Sequence, residues 1–577
     1  MFGLSALTWI LIGTAFVGLI GLRLDRSLRS AADAWPDWLI DALWMLALGV
    51  AGVLSATAIH SSVNPNWYPV GQDWREFVVL ALDIQSGGMF HPVPQRYPFY
   101  AWLAVELAEF SRLPVHIGLM QLNIVAGGLL PAVVFRLGTA IGPRSLAVAG
   151  GWLALFIPTI AATLGPPTDY LFHGAVHILA MSAGIRALRS GGVRRWLGFG
   201  CALALLMATT MKSLVFLLIA APLVALALFW QGRSSPKLAG LSLAAWLAPM
   251  MLIWSVYSTI PRWVTEAYSL EYNVYRTQVV VARAHGRTAP LPTDLGWHES
   301  DEKRRGYWGV GRPGAWSNID KVLTFLARGP KHNLPVHMRW QGATEGLAKA
   351  LHLPSPAWLL LGLVGCLAPI RRRASDTHLG PVLAVTWLTG ITLAHFMGLM
   401  STHFIPRYAI VLLIPGPLLL LLGVMPWRTA RTAWLIPIGA MAASLWASST
   451  PGWTAIYSSD EAKDMALNPH ADFWAIRDEL GPQDTAYDMT GNRILSDLWA
   501  TSPVSITSVP DEETHVRFPG QKVGRRILVL PGALNMGDSV RKWKGAAMGR
   551  LKELRPYVFE DTEANEPLSL KLAELEP

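Results

Sequence analysis

Long apolar runs recur through most of this chain, and they fix the solvent in which it folds. A run of about 17 to 25 apolar residues is long enough to cross a bilayer as a helix. About twelve runs meet that standard, near residues 4–22, 39–60, 116–136, 145–164, 170–188, 196–211, 213–230, 238–258, 356–370, 380–400, 408–424 and 432–450. In hydrocarbon every backbone N–H and C=O must be satisfied internally, so runs of this kind specify helices. Composition agrees, since 15% of the 577 residues are charged, against roughly 25% in soluble domains. The expected fold class is an all-α polytopic membrane protein.

Basic residues orient such a chain, because Lys and Arg accumulate in cytoplasmic loops. The clusters are Arg23/Arg26/Arg29, Arg136/Arg144, Arg186/Arg189/Arg194/Arg195, Arg233/Lys237, Arg371/Arg372/Arg373 and Arg428/Arg431. With the spans above, all of them fall on one face. The first run has its arginines after it rather than before it, the reverse of a secretory signal peptide, so it reads as a true span. The formal net charge of +9 is then a property of inner loops. Nucleic acid is excluded as a partner, because no Lys/Arg patch interleaved with aromatics stands in a soluble segment. Cys201 and Cys366 both lie in apolar runs and imply neither a disulfide framework nor a metal site.

The other face receives the loop 61–115, the turn 165–169, the point near Lys212, the loop 259–355, the turn 401–407 and the tail 451–577. "YPFYAWLAVELAEF" (Tyr97 to Phe110) is short for a span and carries Glu106 and Glu109. It reads as a helix on the outer surface. Asp73 to Ser86 reads as a similar helix, ended by Gly87-Gly88. In the tail, "ADFWAIRDELG" is amphipathic at helical period and "RRILVLPG" reads as a buried strand. The expected organisation is an extra N-terminal span and basic loop (1–38), a transmembrane domain (39–450) and a small soluble C-terminal α/β domain (451–577).

Ionisable groups at membrane depth are candidates for function. The outer face collects Asp73, Arg75, Glu76, His91, Arg96 and Tyr97 from the first loop. It also collects Asp169 from "GPPTDY", Lys212 from "TTMKSL", and His403, Arg407 and Tyr408 from "STHFIPRY". Each has a structural alternative: Asp169 and Asp73 as helix caps, Lys212 as a snorkelling end residue, Arg407 as an interfacial anchor, Glu76 and Asp83 as solvent-facing charges. His173 and His177 stand at i, i+4, a metal-pair spacing that lacks a nearby third ligand, so packing or lining is the reading favoured for them. Together, two acids and several cations suit group transfer from a phosphate. An acid can deprotonate an acceptor hydroxyl and cations can stabilise a departing phosphate.

The order of these elements resembles the GT-C glycosyltransferases, chiefly the bacterial aminoarabinose transferases and the protein O-mannosyltransferases, over roughly residues 39–450. The matching elements are Asp73 in "QDWREFVVLALDIQSGG", Pro98 in "RYPFYAWL", Asp169 in "PPTDY", Lys212 in "TTMKSL" and the segment "FIPRYAIVLLIPGP". The resemblance implies Asp73 as general base and Asp169 as a second acid of the same cavity. It implies Arg96, Lys212 and Arg407 on the phosphate, with Arg75, Glu76, Tyr97, His403 and Tyr408 in the substrate-binding set. The chain departs from the family pattern in the order Asp73-Trp74-Arg75-Glu76, and in Tyr97 where a Lys usually precedes the surface-helix Pro.

The implied activity is inverting transfer of a hexosyl or pentosyl group from a polyprenyl-phosphate donor to a lipid, glycan or protein acceptor. The implied setting is the periplasmic face of a bacterial inner membrane, among membrane lipids. No cofactor is called for, a divalent cation being the one left open. The rival readings are a transporter or flippase of lipid-linked anions and an inactive scaffold of the same architecture.

Overall fold

A computed structural model describes residues 37–63, 77, 80–81, 84–85, 98–113, 115–166, 168–210, 213–258, 336–351, 353–371, 379–401, 409–424, 485–488, 505–508, 526–531, 551–559 and 568–575. The runs 4–22 and 432–450, the loop 259–335 and the tail segment 471–481 lie outside the described residues.

The helices are α1 (Asp37–Val63), α2 (Pro98–Ser111), α3 (Val115–Ile141), α4 (Arg144–Leu155), α5 (Pro158–Thr163), α6 (Tyr170–Ser190), α7 (Val193–Thr209), α8 (Ser213–Ser234) and α9 (Pro236–Ser258). After them come α10 (Val336–Ala350), α11 (Leu359–Cys366), α12 (Ala368–Arg371), α13 (Leu379–Ser401), α14 (Ile410–Leu413) and α15 (Gly416–Val424). Among the described residues six helices are long and apolar enough to cross a membrane: α1, α3, α6, α8, α9 and α13. Two shorter apolar stretches, Pro356–Cys366 and Ile410–Val424, accompany them. The chain is a multi-pass membrane protein.

The run expected as one span at 145–164 is two helices. Pro158 has no N–H to donate and disfavours helical backbone in the residue before it. Ile157 accordingly takes extended angles (φ −66°, ψ 124°), and α5 starts afresh with Pro158 in its first turn. The surface helix expected at 97–110 is α2. It buries Tyr100, Ala104 and Ala108, while Trp102 and Phe110 stay exposed.

Lipid tails are as apolar as leucine, so membrane helices associate by close packing of small residues rather than by hydrophobic exclusion. The crossing of α1 and α3 shows this. A Cβ on Gly52 would lie 2.0 Å from the Gly128 carbonyl oxygen, and one on Gly128 would lie 2.4 Å from Val53 Cα. Any side chain at either position forces the two helices apart.

The two ends of the bundle differ in chemistry. At one end Arg186 Nη2 donates to Arg136 O (3.0 Å) and Thr139 Oγ1 (2.7 Å). There Arg189 Nη1 donates to Ala140 O (2.6 Å), and Arg144 Nε meets Asp41 Oδ1 at 2.7 Å. The start of α13 reaches the same end, since a Cβ on Gly380 would lie 2.7 Å from Arg189 O. So Arg136, Arg144, Arg186 and Arg189 share one end, as the loop charges require. The opposite end carries the junction of α5 and α6.

In the C-terminal region five strands form one mixed sheet in the order β2-β1-β3-β5-β4. They are β1 (Thr485–Asp488), β2 (Ser505–Ser508), β3 (Arg526–Pro531), β4 (Leu551–Phe559) and β5 (Leu568–Leu575). β1 runs parallel to β2 and to β3, and β5 pairs antiparallel with β3 and with β4. The "RRILVLPG" segment supplies β3.

Candidate functional site

A helix end leaves its last carbonyls without intrahelical donors. The corner between α5 and α6 solves this with side chains from three other helices. Asn123 of α3 donates from Nδ2 to Thr163 O (2.6 Å) and to Pro166 O (2.9 Å). His60 of α1 places Nδ1 2.8 Å from Leu164 O, so Nδ1 carries the proton. Tyr100 of α2 places its hydroxyl 2.9 Å from Thr168 O and 2.9 Å from Leu119 O, sharing one proton between them. The corner is thus pinned by the last turn of α1, the first turn of α2 and the first half of α3. Burial, and secondarily the Asp169 carboxylate, push the Tyr100 phenol well above its ordinary pKa near 10. It therefore stays a neutral donor.

Asp169 closes this corner and precedes the first turn of α6. Its side chain makes no capping hydrogen bond, so the capping alternative does not describe it. The residue is 2% exposed, and its Oδ2 lies 3.1 Å from His173 Nε2. The positive end of α6 favours a carboxylate here. Nε2 of His173 also bonds the Thr209 carbonyl oxygen at the end of α7. The Thr209 carbonyl accepts, so Nε2 carries the proton, and Asp169 Oδ2 stands beside it at ion-pair distance. Deeper in α6, His177 Nδ1 donates to His173 O (2.6 Å). The His177 ring stands edge-on to Phe216 and to His395, with centroids 5.1 and 5.3 Å away. The helical spacing of His173 and His177 therefore serves a carboxylate clamp and ring packing. Among the described residues no group of three or more His, Cys, Asp or Glu is arranged to hold a metal ion.

Of the sequence-derived site residues, Asp169 is the one described. Asp73, Arg75, Glu76, Arg96, Tyr97, Lys212, His403, Arg407 and Tyr408 lie outside the described residues, as does His91. Described residues within four positions of most of them in sequence meet at the Asp169 corner. Phe77, next to Glu76, packs edge-on to Tyr100 with centroids 5.8 Å apart. Tyr100, three residues after Tyr97, bonds Thr168 O. Thr209, three residues before Lys212, bonds His173. Ile410, three residues after Arg407, packs on Gly174, where an added Cβ would lie 3.0 Å from Ile410 Cγ2 and 2.3 Å from Ile414 Cδ1.

Sequence reasoning missed Asn123, His60 and Tyr100 as builders of this corner. The available signal was a polar residue inside an apolar run, which a membrane tolerates only with a partner.

No protein-family model and no curated protein matches the chain. Among solved structures it is similar to the Archaeoglobus fulgidus oligosaccharyltransferase in its apo form, at 13% identity and a TM-score of 0.48. That match covers 81% of this chain, which spans 65% of the oligosaccharyltransferase. It is also similar to ArnT from Cupriavidus metallidurans in the apo state, at 14% identity and a TM-score of 0.41, covering 92% of this chain and 98% of that one. The same ArnT bound to undecaprenyl phosphate matches at 13% identity and a TM-score of 0.41, covering 92% and 97%. These identities and TM-scores are too low to assign a family or an activity.

Proposed function

We propose that this protein is a membrane glycosyltransferase of GT-C type, moving a hexosyl or pentosyl group from a polyprenyl-phosphate carrier to a lipid, glycan or protein acceptor. The carrying observation is the convergence of described residues on the Asp169 corner. Three residues of chain span at most about 11 Å. We read Lys212, Arg407 and Tyr97, each three residues from Thr209, Ile410 or Tyr100, and Asp73, Arg75 and Glu76, each within four residues of Phe77, as sharing the surroundings of one buried carboxylate. This supports a single cavity holding two acids and several cations.

In this reading Asp73 takes the proton of the acceptor hydroxyl as the new bond forms between that oxygen and the sugar's anomeric carbon. The bond from that carbon to the phosphate oxygen breaks on the opposite face, inverting the centre. The electron pair leaves with the polyprenyl phosphate, whose charge Arg96, Lys212 and Arg407 stabilise. Arg75, Glu76, Tyr97, His403 and Tyr408 line the sugar and acceptor positions, and Asp169 is the second acid. A divalent cation is the one cofactor this reading leaves open.

The remaining assignments follow the same reading. The spans number about twelve in all, an extra one in 1–38 and the others in 39–450. The Asp169 end faces the periplasm of a bacterial inner membrane. Residues 451–577 form a soluble α/β domain, built on the five-stranded sheet, that helps recognise the acceptor.

The test is consumption of labelled polyprenyl-phosphate sugars by the purified protein, with Asp73→Asn as the comparison. Losing a general base costs on the order of 100- to 10,000-fold. Unimpaired turnover by Asp73→Asn would remove that residue as the base. Binding of the carrier without cleavage of any sugar would favour a transporter.

A further inference from the structure

Beneath the candidate acid stands a histidine that the glycosyl-transfer chemistry does not use. Its Nε2 donates to the carbonyl oxygen of Thr209 at the end of α7 and lies 3.1 Å from Asp169 Oδ2 at the start of α6. These two partners belong to different helices. One is the buried second acid, and the other lies three residues before Lys212. We infer that His173 is a positioning residue: its single Nε2–H ties the outer ends of α6 and α7 together and so sets the distance from the Asp169 carboxylate to the segment that carries Lys212. This rests on the proposed function for its consequence in catalysis, though not for the tie itself.

The geometry supports a clamp rather than incidental packing. The ring is partly buried, with its side chain 18% exposed against 3% for Asp169. Its backbone is held as well. The His173 N–H donates to Asp169 O at 2.8 Å, and the His173 carbonyl accepts from His177 Nδ1 at 2.6 Å. His177 packs against the rings of Phe216 in α8 and His395 in α13. The donating nitrogen is therefore carried on a stretch of α6 that two further helices brace. An amide can stand in for it. A glutamine places its Nε2 about where the imidazole places its own, whereas asparagine is one methylene too short and phenylalanine has no donor.

The experiment uses the full-length protein in a background with Cys201 and Cys366 replaced by alanine, and reads two quantities. The first needs no substrate. Thr210→Cys puts a thiol beside the Thr209 carbonyl, at a position 6% exposed, and its alkylation rate reports opening of the α6–α7 tie. Adding His173→Phe or His173→Asn should speed alkylation about tenfold, the worth of one hydrogen bond. His173→Gln should leave it near the parent rate. The second quantity is transfer from polyprenyl-phosphate sugars, measured with Thr210 intact. A displacement of about 1 Å at a reacting centre costs on the order of 100-fold. His173→Phe and His173→Asn should lose that much in kcat/KM with a raised KM for the donor, and His173→Gln should recover most of it.

A residue that merely supports the fold would lower the amount of folded protein and leave the donor KM alone. Equal alkylation rates in all three variants overturn the clamp, whatever the activity does. Wild-type protein that consumes no polyprenyl-phosphate sugar overturns the proposed function instead, and the alkylation rates then decide the clamp by themselves. Should His173→Phe fail to fold, the Gln and Asn variants still differ by one methylene, and equal behaviour of those two overturns the clamp.

Discussion

Replacing Asn123 tests how the Asp169 corner is held, because the two obvious replacements should differ in a direction that is not intuitive. The residue is fully buried, and its amide donates to Thr163 O and Pro166 O. Asn123→Leu keeps the branched shape in a larger side chain and removes both protons. Thr163 O then loses its donor, at about 1–3 kcal/mol, whereas Pro166 O keeps the Thr168 N–H at 2.9 Å. Among the described residues Asn123 Oδ1 has no hydrogen-bond partner, so leucine also relieves one unsatisfied acceptor and offsets about 1–3 kcal/mol. Those two terms cancel, and what remains is the strain of fitting the larger leucine into a fully buried site, about 1–3 kcal/mol. Asn123→Asp keeps the shape and is the worse change. An ionised carboxylate there is an acceptor aimed at two acceptors, with no donor left in the contact. The expected order of thermal unfolding midpoints, read by tryptophan fluorescence in detergent at pH 7.5, is wild type, then leucine, then aspartate. Lowering the pH towards 4 should narrow the gap between the last two, since a protonated carboxyl regains one donor. An aspartate variant as stable as wild type would mean that the amide does not donate to this corner.

Two further outcomes follow from the same geometry. The raised Tyr100 phenol binds its proton in the folded state at pH values where the unfolded chain has lost it. Its contribution to stability is complete below about pH 10 and falls as the pH rises beyond that. Unfolding midpoints between pH 8 and 11 should decline more steeply for wild type than for Tyr100→Phe, and equal slopes would refute the assignment. Sidedness can be read with single thiols in a background free of Cys201 and Cys366. Ser190→Cys, at the arginine-rich end, and Glu109→Cys, on the exposed side of α2, should react with a membrane-impermeant maleimide from opposite faces of vesicles; labelling from one face would break the topology.

Helices and their direction were legible because both depend on properties local in sequence. An apolar run must be helical in lipid whatever its neighbours are, and arginines at its ends mark one side. Arg136, Arg144, Arg186 and Arg189 duly share an end. The split at Ile157–Pro158 was also local, and Pro158 carried the signal. The corner was not legible in the same way. His60 and Leu164 are 104 residues apart, and Tyr100 and Thr168 are 68 apart. No periodicity marks which polar residue in an apolar run will meet which orphaned carbonyl. Asp169 and His173 were a partial case. Their i, i+4 spacing puts them on one helix face, yet attention went to the same spacing in His173 and His177, read as packing or lining, one turn too deep.

The bonding of this corner also bears on the choice between transferase and transporter. Alternating access requires that the element bearing the substrate-binding charge occupy two arrangements, with its neighbours repacking between them. In the proposed reading that element is the Asp169 corner, and it is fixed on two sides. Its leading turn receives hydrogen bonds at Thr163, Leu164, Pro166 and Thr168 from side chains of α1, α2 and α3, and the first turn of α6 is tied to α7 through His173. Moving Asp169 against α1–α3 would break those bonds in surroundings where the freed carbonyls find no water, at about 1–3 kcal/mol apiece. Chemistry makes the opposite demand. A group that stabilises a transition state is most effective when it needs no reorganisation at the moment of reaction. A buried carboxylate locked by four helices meets that demand and resists the motion that transport needs.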